Sequence, residues 1–271
     1  MPVMPFSDYS EFLAAHPRLI LVEVLEAKGS TPREAGAFML VATEGTSGTI
    51  GGGYLEFMTI DHARRLLAGD NVDAELDVPL GPEIGQCCGG RTRIGFIVVD
   101  EAVRENLLRR EDERRAADPD VMIFGAGHVG LALASALSSL PFNVSVIETR
   151  SIDETALPRN IIAKRVAMPE AEIAAIRPGG AVLILTHDHA LDFLIARQAL
   201  ARRDLAYVGM IGSATKRATF RHWLEREGGE TNDFARLTLP IGGDTVRDKR
   251  PPVIAAMVAA ELCRVLLDGR T

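Results

Sequence analysis

Apolar and polar positions follow two rhythms along this chain, and the change between them divides it in two. The first part shows short, partly alternating runs of strand formers: Leu19 to Ala27 (LILVEVLEA), Gly36 to Thr43 (GAFMLVAT), Val72 to Val78 and Thr92 to Val99 (TRIGFIVV). Alternation with period two predicts half-buried strands, and the run at 72–78 reads as an edge strand. Between the first two runs lies Lys28-Gly29-Ser30-Thr31-Pro32-Arg33-Glu34-Ala35, a loop by its Gly, Ser and Pro content. A triple glycine, Gly51-Gly52-Gly53, leads into a helix predicted from about Tyr54 to Leu67, with Phe57, Ile60, Ala63 and Leu67 at helical spacing. The heavily charged stretch Glu101 to Asp118 favours helix and reads as a solvated connection between two domains.

From Val121 the rhythm becomes strand, turn, helix. VMIF is a short buried strand, Gly125 to Gly130 (GAGHVG) a turn, LALASALSSL a helix, and Asn143 to Glu148 (NVSVIE) the next strand. Further strands are expected near 160–166, 181–185 and 205–208, and helices near 169–176, 190–202, 213–226 and 251–267. The last helix is amphipathic, with Ile254, Met257, Val258, Leu262 and Val265 on one face. The fold class is therefore α/β, an N-terminal α/β domain followed by a Rossmann-like, doubly wound parallel-sheet domain. The expected boundaries are 1–100, a helical linker at 101–118, and 119–271.

Composition narrows the function. A net charge of −7 and aromatics at 5% argue against nucleic acid or an acidic lipid surface as partner. No apolar run approaches the ~20 residues that span a bilayer. The N-terminus lacks a signal-peptide pattern, and three cysteines make no disulfide framework, so a cytoplasmic protein with reduced thiols is expected.

Two of those cysteines are adjacent, in Ile84-Gly85-Gln86-Cys87-Cys88-Gly89-Gly90-Arg91. The flanking glycines let a ligand approach the backbone, although free cysteines are also common as small buried hydrophobes. Cys263, among alanines and leucines, reads as core. In the second part the glycine fingerprint has a strand before it, a helix behind it, and Glu148 23 residues beyond Gly125. In that context Gly125 shapes the turn, Gly127 admits a phosphate to the helix N-terminus, Gly130 packs helix on strand, and Glu148 is placed to accept from a ribose diol. Ligands bind outside the carboxyl ends of parallel strands, which here are 125–130, Glu148, Thr186 to His189, and Gly209 to Ser213. His187 and His189 could face one side and bind a metal. The alternative, with Asp188 as helix cap and His187 facing a ligand, is favoured because two histidines do not hold zinc. Ser213, Lys216 and Arg217 start a helix and suit a phosphate, or are solvated surface. His16, His62 and His222 have no evident partners.

The motifs GSTPREAG (29–36), GTIGGGYLE (48–56), GQCCGG (85–90), FGAGHVG (124–130), THDHALD (186–192), YVGMIGS (207–213) and PIG (240–242) resemble the xanthine dehydrogenase accessory protein C family, in order and through nearly the whole chain. The resemblance implies a molybdenum-cofactor chaperone instead of an enzyme. Such a protein holds molybdopterin, supports its sulfuration by a cysteine desulfurase, and passes it to apo-xanthine dehydrogenase or a related molybdenum hydroxylase. It implicates Cys87 and Cys88, with Gln86, in holding or sulfurating the cofactor and in contact with molybdenum. Ser30, Thr31, Arg33, Gly51, Gly52 and Gly53 would form further contacts in the first domain. Gly125, Gly127, Gly130, Glu148, His187, Gly212 and Ser213 would form the phosphate or nucleotide site, where NAD(P) or another nucleotide is a further candidate. A homodimer is the expected assembly. Two places depart from the family pattern: Glu148 stands where Asp is more usual, and GDTVRDKRPPVIAA (243–256) lacks the Gly-Ala-Lys and paired glutamates expected there. Molybdenum with open coordination accepts thiolate, and a pterin phosphate suits a glycine turn at a helix N-terminus. The rival classes are an NAD(P)- or flavin-dependent oxidoreductase and a redox sensor with a strained Cys87–Cys88 disulfide.

Overall fold

The computed structural model describes residues 9–81, 89–229, 231–243 and 245–268, and these form two compact units, Met1–Arg114 and Arg115–Thr271. In the first, α1 (Ser10–Ala15) precedes β1 (Ile20–Lys28), β2 (Phe38–Val41) and β3 (Thr46–Gly48), then α2 (Gly53–Ala68), β4 (Glu75–Pro79), β5 (Arg91–Val98) and α3 (Glu101–Ala117). The sheet is antiparallel with order β3-β2-β1-β5-β4, so the strand expected at an edge is one. β3 was not expected.

Alternation along β1 sends successive side chains to opposite faces, and both faces are covered. Ile20, Val22 and Val24 pack with Leu55, Ala63 and Leu67 of α2. Leu19 and Leu21 pack with Phe12 and Leu13 of α1 and Leu107 of α3. Two expectations are corrected here. α3 is not a solvated connection: Leu107 is 1% and Glu111 2% exposed, and Arg110 lies over the Phe38 ring at 5.1 Å. Most of its length belongs to the first unit. Nor does α2 bury Phe57, which is 68% exposed; its inner face carries Leu55, Thr59, His62, Ala63 and Leu67. Thr59 is accommodated by donating to Leu55 O at 2.9 Å, and His62, expected to lack a partner, bonds Asp73 O at 2.7 Å and packs at a tilt against the Phe96 ring.

The second unit runs β6 (Asp120–Phe124), α4 (His128–Leu137), β7 (Asn143–Glu148), β8 (Ile162–Arg165), β9 (Ala181–Ile184), α5 (His189–Ala201), β10 (Tyr207–Met210), α6 (Ala214–Arg226), α7 (Thr231–Ala235), β11 (Leu237–Thr238) and α8 (Pro251–Leu266), with 3-10 turns at Glu154–Ala156 and Pro169–Ala175. All six strands are parallel, in the order β11-β10-β9-β6-β7-β8. The order reverses between β6 and β9, which makes their carboxyl ends the topological switch point. The sheet is buried on both sides, hence the near-continuous apolar runs VMIF and AVLI. Val121 and Ile123 face the core shared with α4 and α8, while Met122 and Phe124 face that of α5 and α6. On α8 the buried residues are Ala255, Val258, Ala259, Leu262 and Leu266; Val265, expected inside, is exposed. Cys263 packs at the edge of that core, where burial pushes its thiol pKa up.

Candidate ligand site

In the first unit three glycine-rich turns meet at one end of the sheet, where Lys28 pairs with Arg91. A Cβ on Gly51 would lie 2.6 Å from Pro32 Cγ, and one on Gly90 would lie 2.6 Å from Lys28 O and collide with Ser30 O. The loop carrying Ser30, Thr31 and Arg33 is thus packed against both the Gly51–Gly53 turn and the Gly89–Gly90 pair. Gln86, Cys87 and Cys88 lie outside the described residues. Glu56 was not singled out in the sequence, yet it holds the triple glycine. Its Oε2 accepts from Ile50 N at 3.3 Å, from Gly52 N at 3.1 Å, and from the Thr49 hydroxyl. Gly52 (φ +76°) and Gly89 (φ +67°) adopt the left-handed region, and an added Cβ on either would meet no heavy atom of the described residues within 4 Å. Their backbones are therefore open to approach. A cavity of about 280 Å³ in this unit is lined in part by Arg33, Thr49, Phe38 and Arg110.

In the second unit the glycine turn has the expected geometry. Gly125 (φ +115°) passes so close to Leu185 that a Cβ would sit 2.5 Å from its carbonyl oxygen, and Gly130 packs directly on the Gly125 carbonyl. In front of Gly127, the N-cap of α4, an added Cβ would meet nothing within 4 Å, which leaves room for a ligand at the helix N-terminus.

Glu148 differs from expectation. It is 5% exposed, and both of its oxygens are occupied from within the chain. Oε2 accepts from Ala126 N at 3.0 Å and Arg150 Nη2 at 3.2 Å; Oε1 accepts from Thr149 N at 2.8 Å, Thr149 Oγ1 at 3.2 Å and Arg150 N at 3.3 Å. A carboxylate has about four lone-pair positions, so no capacity is left for a ribose diol. Burial alone would raise its pKa, but the Arg150 guanidinium and the amides of Ala126, Thr149 and Arg150 bring it from the ordinary 4.5 to about 2. A carboxyl depressed on folding adds stability that is fully present above the unfolded value and disappears as pH falls through the folded value. Glu148→Gln is therefore expected to flatten the pH dependence of unfolding between about pH 4.5 and 2. Urea titrations of both proteins across that window check it, and parallel slopes would show that Glu148 carries no such linkage.

The loops after β9 and β10 are tied together by side chains, one of which, Asp192, escaped the sequence reading. Asp192 is fully buried; its Oδ1 accepts from Thr186 Oγ1 at 2.6 Å and Thr186 N at 3.2 Å, and its Oδ2 takes an ion pair from Lys216 Nζ. Lys216 also donates to Ile211 O at 3.0 Å, with its stem lying against Gly212, where a Cβ would be 2.7 Å from Lys216 Cδ. Lys216 is thus neither surface nor free for phosphate. Arg217 donates to Leu239 O at 2.8 Å and covers the Phe234 ring, and the Ser213 hydroxyl caps α6 by accepting from Lys216 N at 3.3 Å. Asp188 caps α5, accepting from Ala190 N at 2.8 Å, as expected, while His187 and His189 are exposed. Among the described residues no group of three or more His, Cys, Asp or Glu is arranged to hold a metal, and no helix is long and apolar enough to cross a membrane.

Two family models match the chain, one in each unit. The model of the XdhC Rossmann domain matches residues 121–262, and that of the XdhC and CoxI family matches residues 12–74. The chain belongs to the XdhC family. It is 29% identical over 265 residues to a protein of Escherichia coli K12 described as the uncharacterized protein YqeB, covering 90% of this chain and 43% of that one. The chain thus spans less than half the length of this curated relative. Among solved structures it is similar to one described as a xanthine dehydrogenase from Bacillus halodurans, with a TM-score of 0.77, 21% identity, and coverage of 99% of this chain and 97% of the other. That likeness concerns the fold. XdhC-type sequence therefore extends over both units, from the first sheet to the last helix.

Proposed function

We propose that this XdhC-family chain takes part in the maturation of xanthine dehydrogenase or a related molybdenum hydroxylase, as a carrier that binds the molybdenum cofactor and delivers it to the apo-enzyme. The observation that carries this reading is the meeting of the 28–36, 48–53 and 89–90 turns, all within family motifs, with open backbone at Gly52 and Gly89. Such turns suit close approach by a bulky ligand without a side chain intervening. The residues fit the group: Ser30, Thr31 and Arg33 would contact it, Cys87 and Cys88 would supply soft donors to molybdenum, and the space at the α4 N-terminus before Gly127 would admit its phosphate-bearing end. When bound to its client, the cofactor supplies the redox-active molybdenum. This chain's own residues bind, orient and shield it, while a cysteine desulfurase sulfurates it. The carrier acts in the cytoplasm, as a homodimer. A hydride-transfer enzyme finds less support, because Glu148 has no free lone pair for the adenosine ribose of a nicotinamide dinucleotide.

Protein purified from a molybdopterin-producing host is expected to retain molybdopterin and to reactivate apo-xanthine dehydrogenase near-stoichiometrically. Cys87→Ala and Cys88→Ala should each lower retention or delivery by about tenfold or more, the scale of one lost charge-assisted contact. Gly127→Val should weaken retention with unchanged thermal unfolding, since the space before it is empty of protein. Full activity of both cysteine variants would make the thiols structural. Wild-type protein without any molybdopterin would sink the carrier reading itself.

A further inference from the structure

The second unit contains an open cavity of about 790 Å³ to one side of the glycine turn. Val129 of α4 lies on its wall beside Ile241, Ile254 and Met257, and Arg247 and Lys249 lie on its rim. The turn at Gly242 and Gly243, which closes one end, has φ of +74° and +71° and is fixed from below. Glu261 of α8 accepts from Gly242 N at 3.0 Å and from the buried Tyr207 hydroxyl at 3.0 Å. Burial, and then the Glu261 carboxylate, push the Tyr207 pKa up, so the phenol remains a donor throughout the ordinary pH range.

The charges on this rim are unusual in an acidic chain. Arg247 and Lys249 are exposed, and neither has an ion pair or hydrogen bond among the described residues. Asp248 between them is occupied by Arg250, with Nε at 2.9 Å and Nη2 at 2.6 Å from Oδ2. Two uncommitted cations at the mouth of an apolar-walled cavity suit a ligand with a flat ring and an anionic end. On the other side of the glycine turn Glu148 is saturated and offers no acceptor to a ribose diol.

We propose that the second unit seats a phosphorylated heterocycle in this cavity, on the β10–β11 side of the glycine turn. The ring rests on Ile241, Ile254 and Met257, and the phosphate lies at Arg247 and Lys249. The ligand is of mononucleotide size: one ring system and one phosphate. This deepens the carrier reading and rests on it in one respect, that a pterin phosphate and a mononucleotide share this chemistry. Arg247, Lys249 and Ile254, within the stretch 243–256 that departs from the family pattern, thereby acquire a binding role.

Calorimetric titration of the full-length chain with GMP, guanosine and inorganic phosphate tests the proposal, GMP sharing the 2-amino-4-oxo edge of a pterin. GMP should bind more tightly than either fragment, and more weakly as salt is raised. The pair Arg247→Ala/Lys249→Ala should raise the GMP Kd at least about tenfold, with unchanged thermal unfolding, since both side chains are exposed. Glu148→Gln should leave GMP binding unchanged. No GMP binding, insensitivity to the rim pair, or loss of binding in Glu148→Gln would each overturn the proposal. Molybdopterin retention, measured in parallel, separates this from the carrier reading: retention without GMP binding removes the cavity proposal alone. If the rim pair lowers both GMP binding and molybdopterin retention, the seat serves the pterin. If it lowers only GMP binding, the seat serves a nucleotide. Either outcome supports the site.

Discussion

Asp192→Ala is expected to destabilise the second unit by about 3–5 kcal/mol, the usual consequence of stranding one member of a buried ion pair. Asp192 is fully buried and the Lys216 side chain is 9% exposed, so water cannot replace the lost partner. The Thr186 amide would be left unmatched as well, whereas its hydroxyl keeps Asp188 O as an acceptor at 3.0 Å. Urea unfolding of the variant, followed by far-ultraviolet circular dichroism, measures the loss. Lys216→Met should also destabilise, but Asp192→Ala/Lys216→Met should cost clearly less than the sum of the two, because neither charge is then buried alone. A loss under about 1 kcal/mol for Asp192→Ala would show the pair to be solvated and without structural weight.

Gly130→Ala should damage the glycine turn by packing alone. Its Cβ would run into the carbonyl oxygen of Gly125, a backbone atom that cannot rotate away, so the turn or the start of α4 must shift. Overpacking of this kind costs about 1–3 kcal/mol, or roughly 5 °C in a domain of this size. Gly127→Ala offers the matched control, having an ordinary φ of −76° and no heavy atom within 4 Å of the added carbon. Differential scanning calorimetry should therefore show a lowered Tm for the first variant and none of that loss for the second. Equal Tm values would mean that the turn tolerates displacement and that Gly130 is not a packing constraint.

Local patterns were the legible part of the sequence. Continuous apolar runs and a glycine turn identified β6, α4 and β7, and Asn143–Glu148 is a strand with the bounds that the pattern suggests. Asp188 was recognisable as a cap because its acceptor reaches only two residues ahead. Long-range polar pairings were not legible. Asp192 and Lys216 sit on different helices, and no spacing in the sequence links them. Charge density suggested that α3 was solvated, yet Glu111 is buried against Arg114, with Arg114 Nη2 at 2.6 Å from its Oε1. The inner face of α2 was misjudged for a related reason. Thr59 and His62 hide their polarity in bonds to backbone carbonyls, so hydropathy assigned them outward and Phe57 inward. Glu148 had the position expected for a diol ligand, but position alone does not reveal that neighbouring amides have already taken its lone pairs.

The connection from β4 to β5 is anchored at both ends, by the Pro79–Arg91 pairing and by the bonds Leu80 N to Gly90 O at 2.8 Å and Gly89 N to Leu80 O at 2.7 Å. The two ends of this connection are clasped by backbone bonds between residues 79–80 and 89–91. Altering the length of such an insert changes closure entropy by only about 0.6 kcal/mol per doubling. The stretch between the anchors is therefore an exchangeable cassette. Its chemistry can be rewritten, in evolution or by grafting, while the scaffold beneath keeps its register.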